Sequence, residues 1–353
     1  MELKHLPTPA LVVDEEIFLK NEAAMAALLK GGSLRLRPHF KSHKCAAIAH
    51  RQIQSGAIGM TCAKLDEAID LAESGIEDIL IANQITDREK ISRLAHLARA
   101  CRLTVCVDDE ENARALEEAA AFAGATVHCL VEYEIGMQRC GLSDMGAVVA
   151  LAKYVDGCAH LVFDGIQAYA GHISHVVSQK EREDLTAANE EKIRTLLSLL
   201  AAEGLAVRTL SGGSTGTARI KKEAGLYTEL QAGSYLFMDA TYGELALPFE
   251  SSLFVLATVV SVREGLAVVD AGVKSCGVDQ GMPRPLGFSV SEVVASEEHF
   301  QLHNPSKQLS VGDRVLLVPA HCCSTVNLHE NLYFVRDGKV TDRIPVTARG
   351  CFR

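Results

Sequence analysis

Between about Leu34 and Tyr235, short apolar runs rich in β-branched residues alternate with longer stretches in which apolar side chains return at i, i+3 and i+4. Eight of the short runs read as strands: "LRLRPHF", "IGMTCA", "DILIAN", "LTVCVDD", "VHCLVEYE", "FDGIQAYA", "VRTLSGG" and "ELQAGSY". The stretches between them, such as "KLDEAIDLAESG", "REKISRLAHLARA" and "DEENARALEEAAAFAG", have the spacing of amphipathic helices, with glycine near several ends. Eight strands separated by helices in about 200 residues fit a parallel (β/α)8 TIM-type barrel of the α/β class. An open doubly wound sheet is the runner-up.

Past about Leu247 the texture changes to alternating or continuous β-branched runs, "LFVLATVVSV", "LAVVDAG" and "RVLLVPA", and "YFVRDGKVTDRI" reads as a hairpin turning at Asp-Gly. The expected organisation is a barrel over residues 25–246 and a β domain over 247–353, to which "TPALVVDEE" within residues 1–24 can add a strand.

Composition narrows the function classes. Of 353 residues, 48% are hydrophobic and 23% charged, so burial can offset the entropy of ordering and a folded chain is expected. The formal charge of −10 argues against a nucleic-acid partner, which calls for a dense positive surface. No apolar run approaches the ~20 residues that cross a bilayer, and "MELKHLPTPA" lacks the apolar core of a signal peptide, so no membrane partner and a cytoplasmic location are expected. The eleven cysteines are odd in number and scattered through apolar segments, which reads as reduced, mostly buried thiols.

Against that acidic background, "RLRPHFKSHK" stands out. If "LRLRPHF" is the first barrel strand, Lys41 falls at its C-terminal end, where such barrels place their chemistry. Arg37, His39, His43 and Lys44 crowd it with cations, which disfavour its charged form and suit Schiff-base formation. A second clue is "LSGGSTGT" after the seventh strand, followed by "AGSY" at the eighth: glycines turn backbone N–H groups toward an anion and hydroxyls add donors. A reactive lysine on strand one and a phosphate cradle on strands seven and eight together describe a pyridoxal 5'-phosphate (PLP) site. A third is "PAHCCSTVNLHENLYF". In an extended segment His321 and Cys323 project to one side and can converge on a borderline-soft cation such as Zn²⁺, with the harder Mn²⁺ or Mg²⁺ as alternatives, while Cys322 points away.

Taken together, "TPALVVD", "RPHFKSHK", "VEYEIGMQRCG", "GIQAYAGHISH", "LSGGSTGT", "TELQAGSYLFMD", "DAGVKSCGVDQGMP", "SEEH" and "PAHCCSTVN" resemble the fold-type III PLP enzymes with an alanine racemase-like N-terminal domain. Within them, they are similar to the group of D-threonine aldolase and eukaryotic-type D-serine dehydratase. The resemblance implies a barrel followed by a β domain, a homodimer, PLP and a divalent metal. It implies that Lys41 carries the cofactor and takes the Cα proton, and that Gly213, Ser214, Thr215, Gly216, Gly233 and Ser234 bind phosphate. Tyr169 then sits near the cofactor ring, Arg139 beside its phenolate, and His321 and Cys323 hold the metal.

As the group is understood, His-x-Cys marks dehydratases and His-x-Asp aldolases, so the expectation led by Cys323 is a dehydratase. It would convert a D-3-hydroxy amino acid such as D-serine or D-threo-3-hydroxyaspartate to a 2-oxo acid and ammonia. The alternative is an aldolase giving glycine and an aldehyde, with His172 or His175 of "AGHISH" as the second base. A non-catalytic PLP carrier is the alternative outside the enzymes, and the metal-binding segment speaks against it.

Overall fold

In the computed structural model, which describes all 353 residues, each sequence-predicted barrel strand is present. A first strand, β1 (Ala10–Asp14), leads into helix α1 (Glu15–Leu29). There follow β2 (Arg35–Leu36), α2 (Ala46–Gln54), β3 (Met60–Cys62), α3 (Leu65–Glu73), β4 (Asp78–Ile81), α4 (Arg88–Leu97), β5 (Arg102–Val107) and α5 (Glu110–Ala123). The series ends with β6 (Val127–Glu132), α6 (Met145–Asp156), β7 (Leu161–Ala168), α7 (Gln179–Ala202), β8 (Thr209–Gly212), α8 (Ala218–Ala224) and β9 (Glu229–Leu230). Strands β2 to β9 form one parallel sheet in the order β2-β9-β8-β7-β6-β5-β4-β3. Its two edges meet through an isolated parallel bridge, His39 to Thr61, where Thr61 N donates to Pro38 O at 2.9 Å. That contact curls the sheet into a barrel.

The helices begin where the sequence supplies an acceptor for their first free N–H groups. Asp87, Asp109 and Asp144 accept from Lys90 N, Asn112 N and Ala147 N, and Ser178 caps α7 through Glu181 N. Strands β5, β6 and β7 are buried along nearly their whole length, as expected of a parallel sheet covered on both faces.

The remaining strands are β10 (Leu253–Arg263), β11 (Leu266–Val269), β12 (Arg284–Pro285), β13 (Glu292–Ala295), β14 (Phe300–His303), β15 (Arg314–Val318), β16 (Asn331–Arg336) and β17 (Lys339–Pro345). They form a second, mostly antiparallel sheet in which β1 lies between β10 and β16. The β16–β17 hairpin turns at Asp337 and Gly338, both at positive φ.

Two compact units result, each discontinuous in sequence. One comprises Leu28–Lys41, Ala46–Gly233 and Cys351–Arg353; the other comprises Met1–Ala27, Ser42–Cys45 and Ser234–Gly350. All eleven cysteines are free and six are buried. No helix is long and apolar enough to cross a membrane.

The N-terminal end of the barrel is tied by buried charge. Arg37, which follows the two-residue strand β2, reaches back to Glu229 (2.8 Å) and Asp78 (2.7 Å), the first residues of β9 and β4. Burial works against the guanidinium charge, and the two carboxylates more than offset it. Arg102 and His128 (2.8 Å) continue the network to Asp164, whose carboxyl they and Arg208 hold below its usual range against the effect of burial. Replacing Arg37 by Met leaves Glu229 buried without a partner and is expected to cost about 3–5 kcal/mol. Most of this loss should return in the double variant Arg37→Met/Glu229→Leu, both read from urea unfolding midpoints. A single variant as stable as the parent would contradict the arrangement.

Candidate functional site

The C-terminal ends of the barrel strands carry most of the residues singled out by sequence. Lys41 lies in the short turn Phe40–Ser42 just beyond β2, half-buried, and its backbone N–H faces Nδ1 of His39 at 3.4 Å. The cations around it are not packed as one cluster. Arg37 points to the opposite end of the barrel, Nδ1 of His43 accepts from Cys45 N (3.2 Å), and the Lys44 ammonium donates to Ala348 O (3.3 Å). Sequence proximity overstated the crowding because these side chains leave in different directions.

The loop after β8 is built for close approach. Gly213 adopts φ 74°, and a Cβ on Gly216 would stand 2.1 Å from the carbonyl oxygen of Ser174, so both positions exclude larger residues. Ser214 N donates to Thr217 Oγ1 (3.0 Å), and Ser174 Oγ donates to Ser214 Oγ (2.8 Å). Thr215 is 2% exposed, yet its hydroxyl has no hydrogen-bond partner within the protein. A buried hydroxyl without a partner costs free energy unless a ligand satisfies it. The residues present therefore fit a phosphate group. Gly233 belongs with the barrel unit, whereas Ser234 begins the last segment of the other unit, its Oγ 4.0 Å from Cys323 Sγ.

Beyond β6 and β7, the Arg139 guanidinium lies 5.5 Å from the centre of the Tyr169 ring and 4.0 Å from the Glu132 carboxylate. Burial pushes Glu132 up, and Gln84, donating at 2.6 Å, and Arg139 oppose the shift. His172 is exposed on the short turn Gly171–Ile173, its ring against Gly136, and His175 is half-buried three residues on. Inside the barrel, Gln231 Nε2 donates to Gln167 Oε1 (2.8 Å) and Ser211 Oγ (2.9 Å). These glutamines escaped the sequence reading, although glutamine inside a continuous strand, as in "GIQAYA" and "ELQAGSY", is the signal that marks such a layer.

In the other unit the segment around His321 departs from the extended chain expected of it. His321 is extended but caps a short helix, α9 (Cys322–Val326), so Cys323 sits in its first turn and i, i+2 strand geometry does not apply. The two side chains still interact, and Cys323 is among the groups that favour the charged form of the His321 ring. Cys322 is buried, but its sulfur lies 3.9 Å from that of Cys323 rather than pointing away. Two carboxylates missed by sequence frame the turn. Asp239, fully buried, accepts from Cys322 N (3.0 Å) and Tyr242 N (2.9 Å), and burial raises its carboxyl above the usual range. Asp279 lies 2.6 Å from His321 Nδ1 and accepts from Ser324 Oγ (2.5 Å); burial opposes its charge, but these contacts hold it below the usual range. Burial disfavours a charged His321, yet Cys323 and Asp279 outweigh it and raise the ring to about 9. No group of three or more His, Cys, Asp or Glu side chains gathers to hold a metal. One imidazole nitrogen and one sulfur side by side nonetheless fit a borderline-soft divalent ion that takes its other ligands from water or substrate.

Comparison with known proteins identifies the family and the fold. Residues 13–241 match the family described as alanine racemase, N-terminal domain, and residues 252–335 match the putative serine dehydratase domain. The D-threonine aldolase of Arthrobacter sp is 39% identical over 359 residues, covering 99% of this chain and 95% of that protein. The crystal structure of D-threonine aldolase from Filomicrobium marinum superposes with a TM-score of 0.97 at 40% identity, over 100% of this chain and 98% of that one. D-threo-3-hydroxyaspartate dehydratase from Delftia sp. HT23 gives 0.87 at 25%, over 98% of each chain. Histidine-to-alanine and cysteine-to-alanine variants of a D-threo-3-hydroxyaspartate dehydratase, two residues apart, are known structures, the latter in a metal-free form. The chain belongs to the fold-type III PLP enzymes with an alanine racemase-like N-terminal domain, in their D-threonine aldolase and D-serine dehydratase group of lyases.

Proposed function

We propose that the protein is a PLP- and divalent-metal-dependent lyase that cleaves D-3-hydroxy amino acids between Cα and Cβ, giving glycine and an aldehyde. The observation that carries this reading is its likeness to D-threonine aldolases along essentially the whole chain. The dehydratase expectation rested on Cys323, one position.

In this reading Lys41 holds the cofactor covalently, and Thr215, with the backbone from Gly213 to Gly216, binds its phosphate. Bound PLP supplies an electron sink for the bond broken at Cα. His321 and Cys323 would hold a divalent metal, whose chemistry there would be that of a Lewis acid. His172 or His175 takes the hydroxyl proton as the Cα–Cβ bond breaks and the carbonyl of the aldehyde forms. Lys41 returns a proton to Cα, completing glycine. Arg139, stacked on Tyr169, keeps a positive charge at the rim beside the buried Glu132.

One observation favours a second reading. The spacing of His321 and Cys323 is that of the histidine and cysteine varied in a D-threo-3-hydroxyaspartate dehydratase. There Lys41 would take the Cα proton and hydroxide would leave, giving a 2-oxo acid and ammonia.

Incubating purified protein with D-threonine, D-serine and D-threo-3-hydroxyaspartate separates the two. Glycine plus aldehyde, lost on EDTA treatment and restored by metal, is expected; ammonia plus 2-oxo acid would establish the dehydratase. For the base, alanine at His172 or at His175 should lower kcat/KM by roughly 10²–10⁴-fold at one of the two positions, with the cofactor's absorbance unchanged. Near-normal rates in both variants would remove the histidines from the mechanism.

A further inference from the structure

Three features outside the assigned roles carry some argument: the buried Lys221–Glu190 pair (3.1 Å) behind the phosphate cradle, the adjacent thiols of Cys322 and Cys323, and the contacts of Asp279. The first is a charge pair closed on itself and capped by the Tyr227 ring, 3.9 Å from the ammonium. The second joins neighbours on a helical turn, a geometry unsuited to a disulfide. The third reaches furthest.

Asp279 lies on the loop after β11, 42 positions before His321 in the chain, and its two carboxylate oxygens are both engaged. Oδ2 stands 2.6 Å from His321 Nδ1, and Oδ1 accepts from Ser324 Oγ at 2.5 Å. Ser324 lies on the same turn as His321, so the carboxylate grips that turn at two points and has little freedom to swing away. An ionised carboxylate can only accept. Nδ1 of His321 must therefore carry the hydrogen, and in the neutral ring the lone pair belongs to Nε2. Meanwhile the backbone of the turn is fixed separately, by Asp239 accepting from Cys322 N. Ring orientation and tautomer thus fall to Asp279 and backbone position to Asp239.

We propose that Asp279 is a positioning residue that fixes the tautomer and rotation of His321, so that Nε2 is the nitrogen presented to a divalent metal. This rests on the reading of His321 and Cys323 as the metal's ligands. Carboxylate–histidine pairs of this kind orient the ring and raise its basicity as a ligand, and losing the carboxylate typically costs 10–100-fold in metal affinity. Nothing in the sequence marks Asp279 for the task beyond its place in "GVDQGMP", and its role becomes visible only when the loop is folded against α9.

The test uses the PLP-loaded protein titrated with Zn²⁺ by calorimetry and, with ¹⁵N-histidine labelling, by NMR. The expected spectrum of the zinc-loaded parent has His321 protonated at Nδ1 and shifted at Nε2 by the metal. Asp279→Ala should weaken zinc binding by about 10–100-fold. Asp279→Asn, which keeps an acceptor oxygen but not the charge, should fall between the two. If His321→Ala binds zinc as tightly as the parent, the metal reading itself fails. If His321→Ala loses zinc while Asp279→Ala and Asp279→Asn retain parental affinity, or if the parent coordinates through Nδ1, the metal reading stands and the role of Asp279 is overturned.

Discussion

The architecture of the barrel depends on how a strand of two residues is held in place. β2 makes only two ladder pairs, Arg35 with Glu229 and Leu36 with Leu230, too few to fix its direction alone. The buried guanidinium of Arg37, pinned to the first residues of β4 and β9, anchors it from the N-terminal side. Backbone bonds from Arg37 N to Leu230 O and from His39 N to Ala232 O carry the alignment onward. Four residues after Arg37, the chain reaches Lys41 at the opposite end. An ion pair at the floor of the barrel thereby sets where the Lys41 amine stands at its rim, and the desolvation it imposes is offset only because both carboxylates are there.

The rim divides its tasks among loops. The turn after β8 gives up side-chain bulk at Gly213 and Gly216 so that backbone can approach an anion, and it leaves the Thr215 hydroxyl buried with no internal partner. A fold tolerates such a group where a ligand repays it. The loops after β6 and β7 contribute the opposite quality, a stacked pair of Arg139 and Tyr169 with a carboxylate beneath. In the other unit, Asp279 holds the His321 ring and Asp239 holds the backbone of the turn that carries Cys323.

Much of this was legible before folding. The eight barrel strands, the β-rich remainder and the Asp-Gly hairpin follow from periodicity and turn chemistry, because parallel strands buried on both faces must be apolar throughout. Lys41 and the 213–216 loop were singled out because chemistry at a strand's end is a local pattern, and both do lie just beyond the C-terminal ends of barrel strands. Other features were not local. Arg37 was read as a neighbour raising the charge around Lys41, whereas its partners Asp78 and Glu229 are distant in sequence and at the other end of the strand. The turn at His321 was read as extended; the buried acceptor that folds it, Asp239, lies far upstream. Cys323 was given more weight than one position can bear in choosing between two reactions that share a site.

Lys41 as the cofactor-bearing residue is the claim on which the rest turns. Its most direct test is borohydride reduction of the purified yellow protein, followed by digestion and mass spectrometry of the pyridoxyl-modified peptide. The account predicts a single modification, on Lys41. Modification of any other lysine, or none, would contradict it.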